Sequence, residues 1–131
     1  MDPLLKKIIN AAGVSGYESE ITKIMYDEFR KITKEVEIDN FGNVIARKGK
    51  GTKKIMIAAH MDEIGLLVKY ITKDGYLNFI KIGGIDDRVL VGQRVIVKSK
   101  KGDVNGVIGM KPPHLVKEEE RKKQLMQQTL F

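Results

Sequence analysis

The chain has 131 residues, no cysteine, a formal net charge of +7 and a hydrophobic fraction of 42%. That length suits one modest domain with its own core, or two incomplete pieces of a larger protein. Lacking cysteine, the chain has no disulfide framework and no thiolate metal site, so any metal ion must be held by His, Asp and Glu.

No stretch approaches the roughly 20 apolar residues that span a bilayer, and Met1-Asp2-Pro3-Leu4 opens an amphipathic segment rather than a signal peptide. A cytoplasmic location away from membranes is therefore expected. The positive charge raises the question of nucleic acid, because clustered Lys and Arg neutralise phosphates. Here the lysines are scattered among glutamates and are not interleaved with aromatic residues as a stacking platform requires, so the charge reads as a solvated surface and nucleic acid is not the expected partner.

Residues 2–12 predict a first short helix. Asp2 is placed to cap it, Pro3 fits its first turn, Leu4, Leu5, Ile8 and Ile9 form an apolar stripe, and Gly13 ends it. A second helix is expected over about 18–32, with Ile21, Ile24, Met25, Phe29 and Ile32 on one face and Lys23, Asp27 and Arg30 outward. Strands at 35–39 and 44–48 follow, joined by the tight turn Asn40-Phe41-Gly42-Asn43. The short apolar run 54–59 predicts a strand buried on both faces, as in a parallel or mixed sheet.

Near Leu66 the texture changes from helix-rich α/β to short strands separated by turns, which marks a domain boundary: residues 1–66, then 67–114, with a charged tail over 115–131. Strands at 67–72 and 76–82 flank Lys73-Asp74-Gly75, and strands at 94–99 and 104–110 flank Lys100-Lys101-Gly102-Asp103. Repeated hairpins of this kind suggest a small barrel. The highly charged stretch 117–128 is expected to be a surface helix, a loop or a frayed end. Gly83-Gly84 lacks the spacing and the following helix of a phosphate-binding loop.

The segment Ala58-Ala59-His60-Met61-Asp62-Glu63-Ile64-Gly65 carries the clearest chemical signal. In a strand, residues two apart share a face, so His60 and Asp62 are expected to project together where the apolar run ends. An imidazole so placed binds metal while the carboxylate fixes its surroundings. Glu63 is expected to point to the opposite face. Asp86-Asp87-Arg88 reads as an exposed turn with a local Asp-Arg pair, and His114, after the stiff Pro112-Pro113, as structural or part of a subsite.

The histidine motif resembles the first metal-binding motif of the dinuclear zinc aminopeptidases of the glutamyl and tetrahedral aminopeptidase family, some of whose members have been called endoglucanases. Four other strings are similar to family segments in the same order: Gly13-Val14-Ser15-Gly16-Tyr17-Glu18, Asp39-Asn40-Phe41-Gly42-Asn43, residues 83–95 and residues 106–114. The resemblance implies the N-terminal part of a zinc-peptidase-like α/β catalytic domain, followed by most of a small β-barrel dimerisation domain. It implies peptide substrates, a homo-oligomer that is dimeric through the barrel or dodecameric when complete, and two divalent ions, zinc or cobalt. By position, His60 is the ligand to one ion and Asp62 the catalytic-site carboxylate that orients it.

In the family the bridging carboxylate, the other ligands and the catalytic glutamate come from sequence downstream of the barrel. The 131 residues alone are accordingly expected to be inactive, and to expose apolar surface around Ile55, Ile57 and the face of the 18–32 helix. Two other readings stay open at this point: a non-catalytic dimerisation or assembly module in which His60 is a remnant, and a small basic barrel that binds nucleic acid.

Overall fold

Asp2 begins the first helix as its sequence predicts: one carboxylate oxygen accepts the amides of Leu4 (2.7 Å) and Leu5 (3.3 Å), and Pro3 occupies the first turn of α1, Pro3–Asn10. The computed structural model describes residues 1–110 and the backbone of Thr129–Leu130; the readings made for Pro112, Pro113, His114 and residues 117–128 lie outside the described residues. The chain divides into two compact units, Met1–Glu63 and Ile64–Phe131.

In the first unit, α2 (Ser19–Ile32) packs against a hairpin of β1 (Glu35–Ile38) and β2 (Val44–Arg47), paired antiparallel from Glu35 with Arg47 to Ile38 with Val44. The apolar stripe of α2 turns inward as its spacing requires. Ile21 is buried and Ile24, Met25 and Phe29 are half-buried, whereas Ile32 is exposed. Thr33 Oγ1 donates to the carbonyl of Arg47 (2.8 Å) and ties the end of the helix to the hairpin. The stripe of α1 behaves differently, since Leu4, Leu5 and Ile9 are exposed.

The buried strand expected over 54–59 is not formed. These residues belong to no strand, and Ile55, Met56 and Ile57 are 92%, 89% and 94% exposed. An apolar run becomes a buried strand only when neighbouring strands bond both of its edges and something covers its faces, and no described strand pairs with it. Among the described residues the parallel pairing is a single bridge between Val14 and Glu63.

The second unit is a five-stranded antiparallel sheet. Its strands are β3 (Gly65–Ile71), β4 (Leu77–Ile82), β5 (Arg94–Val97), β6 (Val104–Gly109) and β7 (Thr129–Leu130), in the spatial order β3-β4-β7-β6-β5. Alternation along the strands collects Leu66, Leu77, Phe79 and Val95 with Ile85 around the buried pair Leu90 and Ile108. A bulge interrupts β3 between Val68 and Tyr70. A short 3-10 turn, Asp87–Val89, precedes β5, and the Gly92-Gln93 link between them is tied to β6 by the bonds Gly92 N to Ile108 O (2.8 Å) and Ile108 N to Gln93 O (2.9 Å). Thr129 and Leu130, read from sequence as the end of a charged tail, instead pair with both β4 and β6.

The described residues thus form two α-helices and antiparallel sheets, a small α/β arrangement. No helix among the described residues is long and apolar enough to cross a membrane.

Candidate functional site

The site is built where residues 13–15 meet residues 61–63. Glu63 acts as a clamp. Its amide donates to the carbonyl of Gly13 (2.7 Å), its carbonyl accepts the amide of Ser15 (3.3 Å), and its carboxylate accepts the amide of Gly13 (3.1 Å). The approach is close enough that a Cβ on Gly13 would lie 3.0 Å from Ile21 Cγ2 and 3.4 Å from the carbonyl oxygen of Met61. Glycine therefore lets this loop lie flat on the chain that carries His60 and Asp62.

His60 and Asp62 do come together, although no strand aligns them. His60 Nδ1 lies 3.1 Å from Asp62 Oδ1 and 3.1 Å from the Asp62 carbonyl oxygen. The second carboxylate oxygen, Oδ2, accepts the hydroxyl of Ser15 at 2.5 Å. That bond is the main reason the Asp62 carboxyl is held below its ordinary range; partial burial opposes it, and the bond from His60 adds to it. An ionised carboxylate and a carbonyl can only accept, so Nδ1 carries the hydrogen, and in the neutral ring Nε2 is then the nitrogen with the lone pair. The ring is 86% exposed, which leaves that lone pair open to an incoming ion. The pair has the form of the carboxylate–histidine contacts that orient ligating imidazoles in metal sites.

The other sequence candidates are elsewhere. Asp86 caps the 3-10 turn by accepting the Arg88 amide (2.9 Å) and pairs with the Arg88 guanidinium (2.5 Å), while Asp87 pairs with Lys81 (3.0 Å). The Arg88 pairing lowers the Asp86 carboxyl and raises the guanidinium. Asp86-Asp87-Arg88 is thus an exposed turn with a local Asp-Arg pair. Sequence reasoning assigned no role to Ser15 and placed Glu63 only by strand alternation. The signal for Ser15 was the string Gly13 to Glu18, which was legible as a motif without a partner.

A family model described as M42 glutamyl aminopeptidase matches residues 42–131. The chain belongs to that family. It is 47% identical over 116 residues to the lysyl aminopeptidase of Pyrococcus furiosus, an alignment that covers 88% of this chain and 34% of the relative. Two solved structures are similar across nearly the whole chain. The TET aminopeptidase of the marine sediment archaeon Thaumarchaeota archaeon SCGC AB-539-E09 matches with a TM-score of 0.87 and 39% identity, covering 97% of this chain and 36% of that one. The Pyrococcus horikoshii TET1 peptidase, which can assemble into a tetrahedron or a large octahedral shell, matches with a TM-score of 0.80 and 42% identity, covering 98% of this chain and 39% of that one. The chain therefore spans about a third of the length of the family members it matches.

Proposed function

We propose that the protein is a metal-dependent aminopeptidase that releases N-terminal amino acids from peptides. In this reading His60 is the ligand to one of two divalent ions, zinc or cobalt, and Asp62 is the carboxylate that orients it. The observation that carries the reading is the His60–Asp62 pair, with Nδ1 engaged and Nε2 free, in a chain of the M42 family. The donor chemistry fits: imidazole nitrogen backed by carboxylate oxygen, without thiolate, suits borderline divalent ions.

When bound, a pair of such ions polarises a peptide carbonyl and lowers the pKa of an attacking water. What the chain itself contributes is placement. Asp62 holds the proton on Nδ1 and keeps the imidazole turned with Nε2 outward, and the Glu63 clamp keeps Asp62 beside residues 13–15. Among the described residues no group of three or more His, Cys, Asp or Glu could hold a metal ion, so His60 supplies one ligand and a complete centre draws its others from outside them.

The same reading takes residues 1–66 as catalytic-domain sequence and residues 67–114 as most of a β-barrel through which copies dimerise, in the cytoplasm. The resemblance to a structure of shell-forming peptidases supports a homo-oligomer. Light scattering on the purified protein is expected to give an even-numbered assembly, dodecameric when complete; a strict monomer at every concentration would remove the dimerisation role.

The catalytic reading is tested on the protein as encoded at its locus. Supplied with zinc or cobalt, it is expected to hydrolyse aminoacyl-nitroanilides, to stop when a chelator is added, and to stop with His60→Ala. Asp62→Asn should cost roughly 10- to 100-fold in metal affinity or activity, the usual loss when the partner of a ligating histidine is removed. Residues 1–131 alone are expected to show no turnover. Turnover by those residues that disappears with His60→Ala would overturn this account, as would full activity of His60→Ala in the protein as encoded.

A further inference from the structure

We propose that Ser15 is a positioning residue for the metal ligand, acting through Asp62 to select the tautomer of His60; this rests on the reading of His60 as a ligand. An aspartate side chain turns freely about its last torsion, whose energy profile is broad and roughly two-fold. One bond from Oδ1 to an exposed ring does not restrain it. The Ser15 hydroxyl supplies the second restraint, donating to Oδ2 at 2.5 Å while Oδ1 faces Nδ1 at 3.1 Å.

Ser15 is in turn placed by the backbone. Its amide donates to the carbonyl of Glu63, the residue after Asp62, and Gly13 on the same loop is held by both the carboxylate and the amide of Glu63. A loop far back in the sequence is thus stapled beside Asp62, and its one hydroxyl meets the oxygen that His60 does not use. With the hydroxyl gone, Asp62 can swing away, and the imidazole loses the charged one of the two acceptors that keep its proton on Nδ1, the Asp62 carbonyl oxygen at 3.1 Å remaining. Nε2 would then carry the proton in a larger fraction of molecules, and those molecules cannot ligate through it.

The test needs no metal. The 131-residue chain, labelled with nitrogen-15 and kept metal-free at a pH where imidazole is neutral, reports the tautomer directly, because a bare ring nitrogen resonates well downfield of a protonated one. The second histidine, His114, is assigned with a His114→Gln variant. The original chain and Ser15→Thr, which keeps the hydroxyl, are expected to hold His60 mainly as the Nδ1–H form. Ser15→Ala and Ser15→Val, the latter matching threonine in shape, should move the tautomer ratio toward Nε2–H by roughly 2- to 12-fold, the factor one net hydrogen bond is worth.

Unchanged ratios in Ala and Val overturn the proposal. So does loss of the fold in both while Thr stays folded, since the hydroxyl would then be holding the loop and not the ring. Neither result depends on whether His60 binds metal. An insensitive tautomer with activity still dependent on His60 sinks only the Ser15 role, and the reverse pattern sinks only the ligand role.

Discussion

Gly83 stands at φ +85°, and a Cβ there would lie 2.6 Å from Ile64 Cγ2 and 3.3 Å from Ile64 Cβ. Backbone conformation and space both exclude a side chain. Gly83→Ala should therefore destabilise the second unit by about 1–3 kcal/mol, measured by denaturant unfolding. A loss within error of zero would mean that Ile64 yields freely. The two residues that matter most at the site differ in how visible they were. His60 and Asp62 are two apart, so their pairing could be anticipated without knowing the fold. Ser15 is 47 residues from Asp62, and only the folded path of the loop makes them neighbours. A hydroxyl in a glycine-flanked loop carries no mark of its partner.

Among the elements, the turn after β1 is organised by one side chain. Asp39 accepts the amides of Phe41 and Asn43 (both 2.9 Å) and the Asn43 side-chain amide (2.8 Å). Its carboxyl lies below the ordinary value, chiefly because of the Asn43 side chain and despite partial burial. Since the folded value is below the unfolded one, this contribution is fully present above about pH 4 and is lost as the pH falls through the lowered folded value. Protection factors at the Phe41 and Asn43 amides should fall in that acid window, and Asp39→Ala should show the lower protection already at neutral pH. Protection that persists unaltered to about pH 2 would assign the turn to its backbone alone. This hairpin and both helices were legible because their signals are local: a cap, a proline, a 3.6-residue stripe, a turn of Asn and Gly. The run 54–59 was misread because its signal is conditional. Apolar β-formers announce a strand, but the strand exists only with partners, and among the described residues Ile55, Met56 and Ile57 have none.

On the scale of the molecule, the two units carry separate small cores, Ala11 and Ile21 in one and Leu90 and Ile108 in the other. The antiparallel hairpins of the second unit were readable from their turns, whereas the order β3-β4-β7-β6-β5 was not, because no local pattern says that Thr129 and Leu130 belong in its middle. Those two residues are the seam of the sheet. On one side β3 pairs with β4, on the other β5 pairs with β6, and β7 bonds to β4 and β6. Two-stranded ribbons are marginal by themselves in water. Deleting residues 129–131 should leave two ribbons that lose amide protection at a lower denaturant concentration than the intact unit, and do so separately; a single unchanged transition would show the seam to be dispensable. The order of events during synthesis follows from the same arrangement. Strands β3 to β6 leave the ribosome early and must wait, their inner edges unpaired, until Thr129 and Leu130 arrive. The sheet therefore closes late and through contacts distant in sequence, which makes this unit the slow-folding part of the chain.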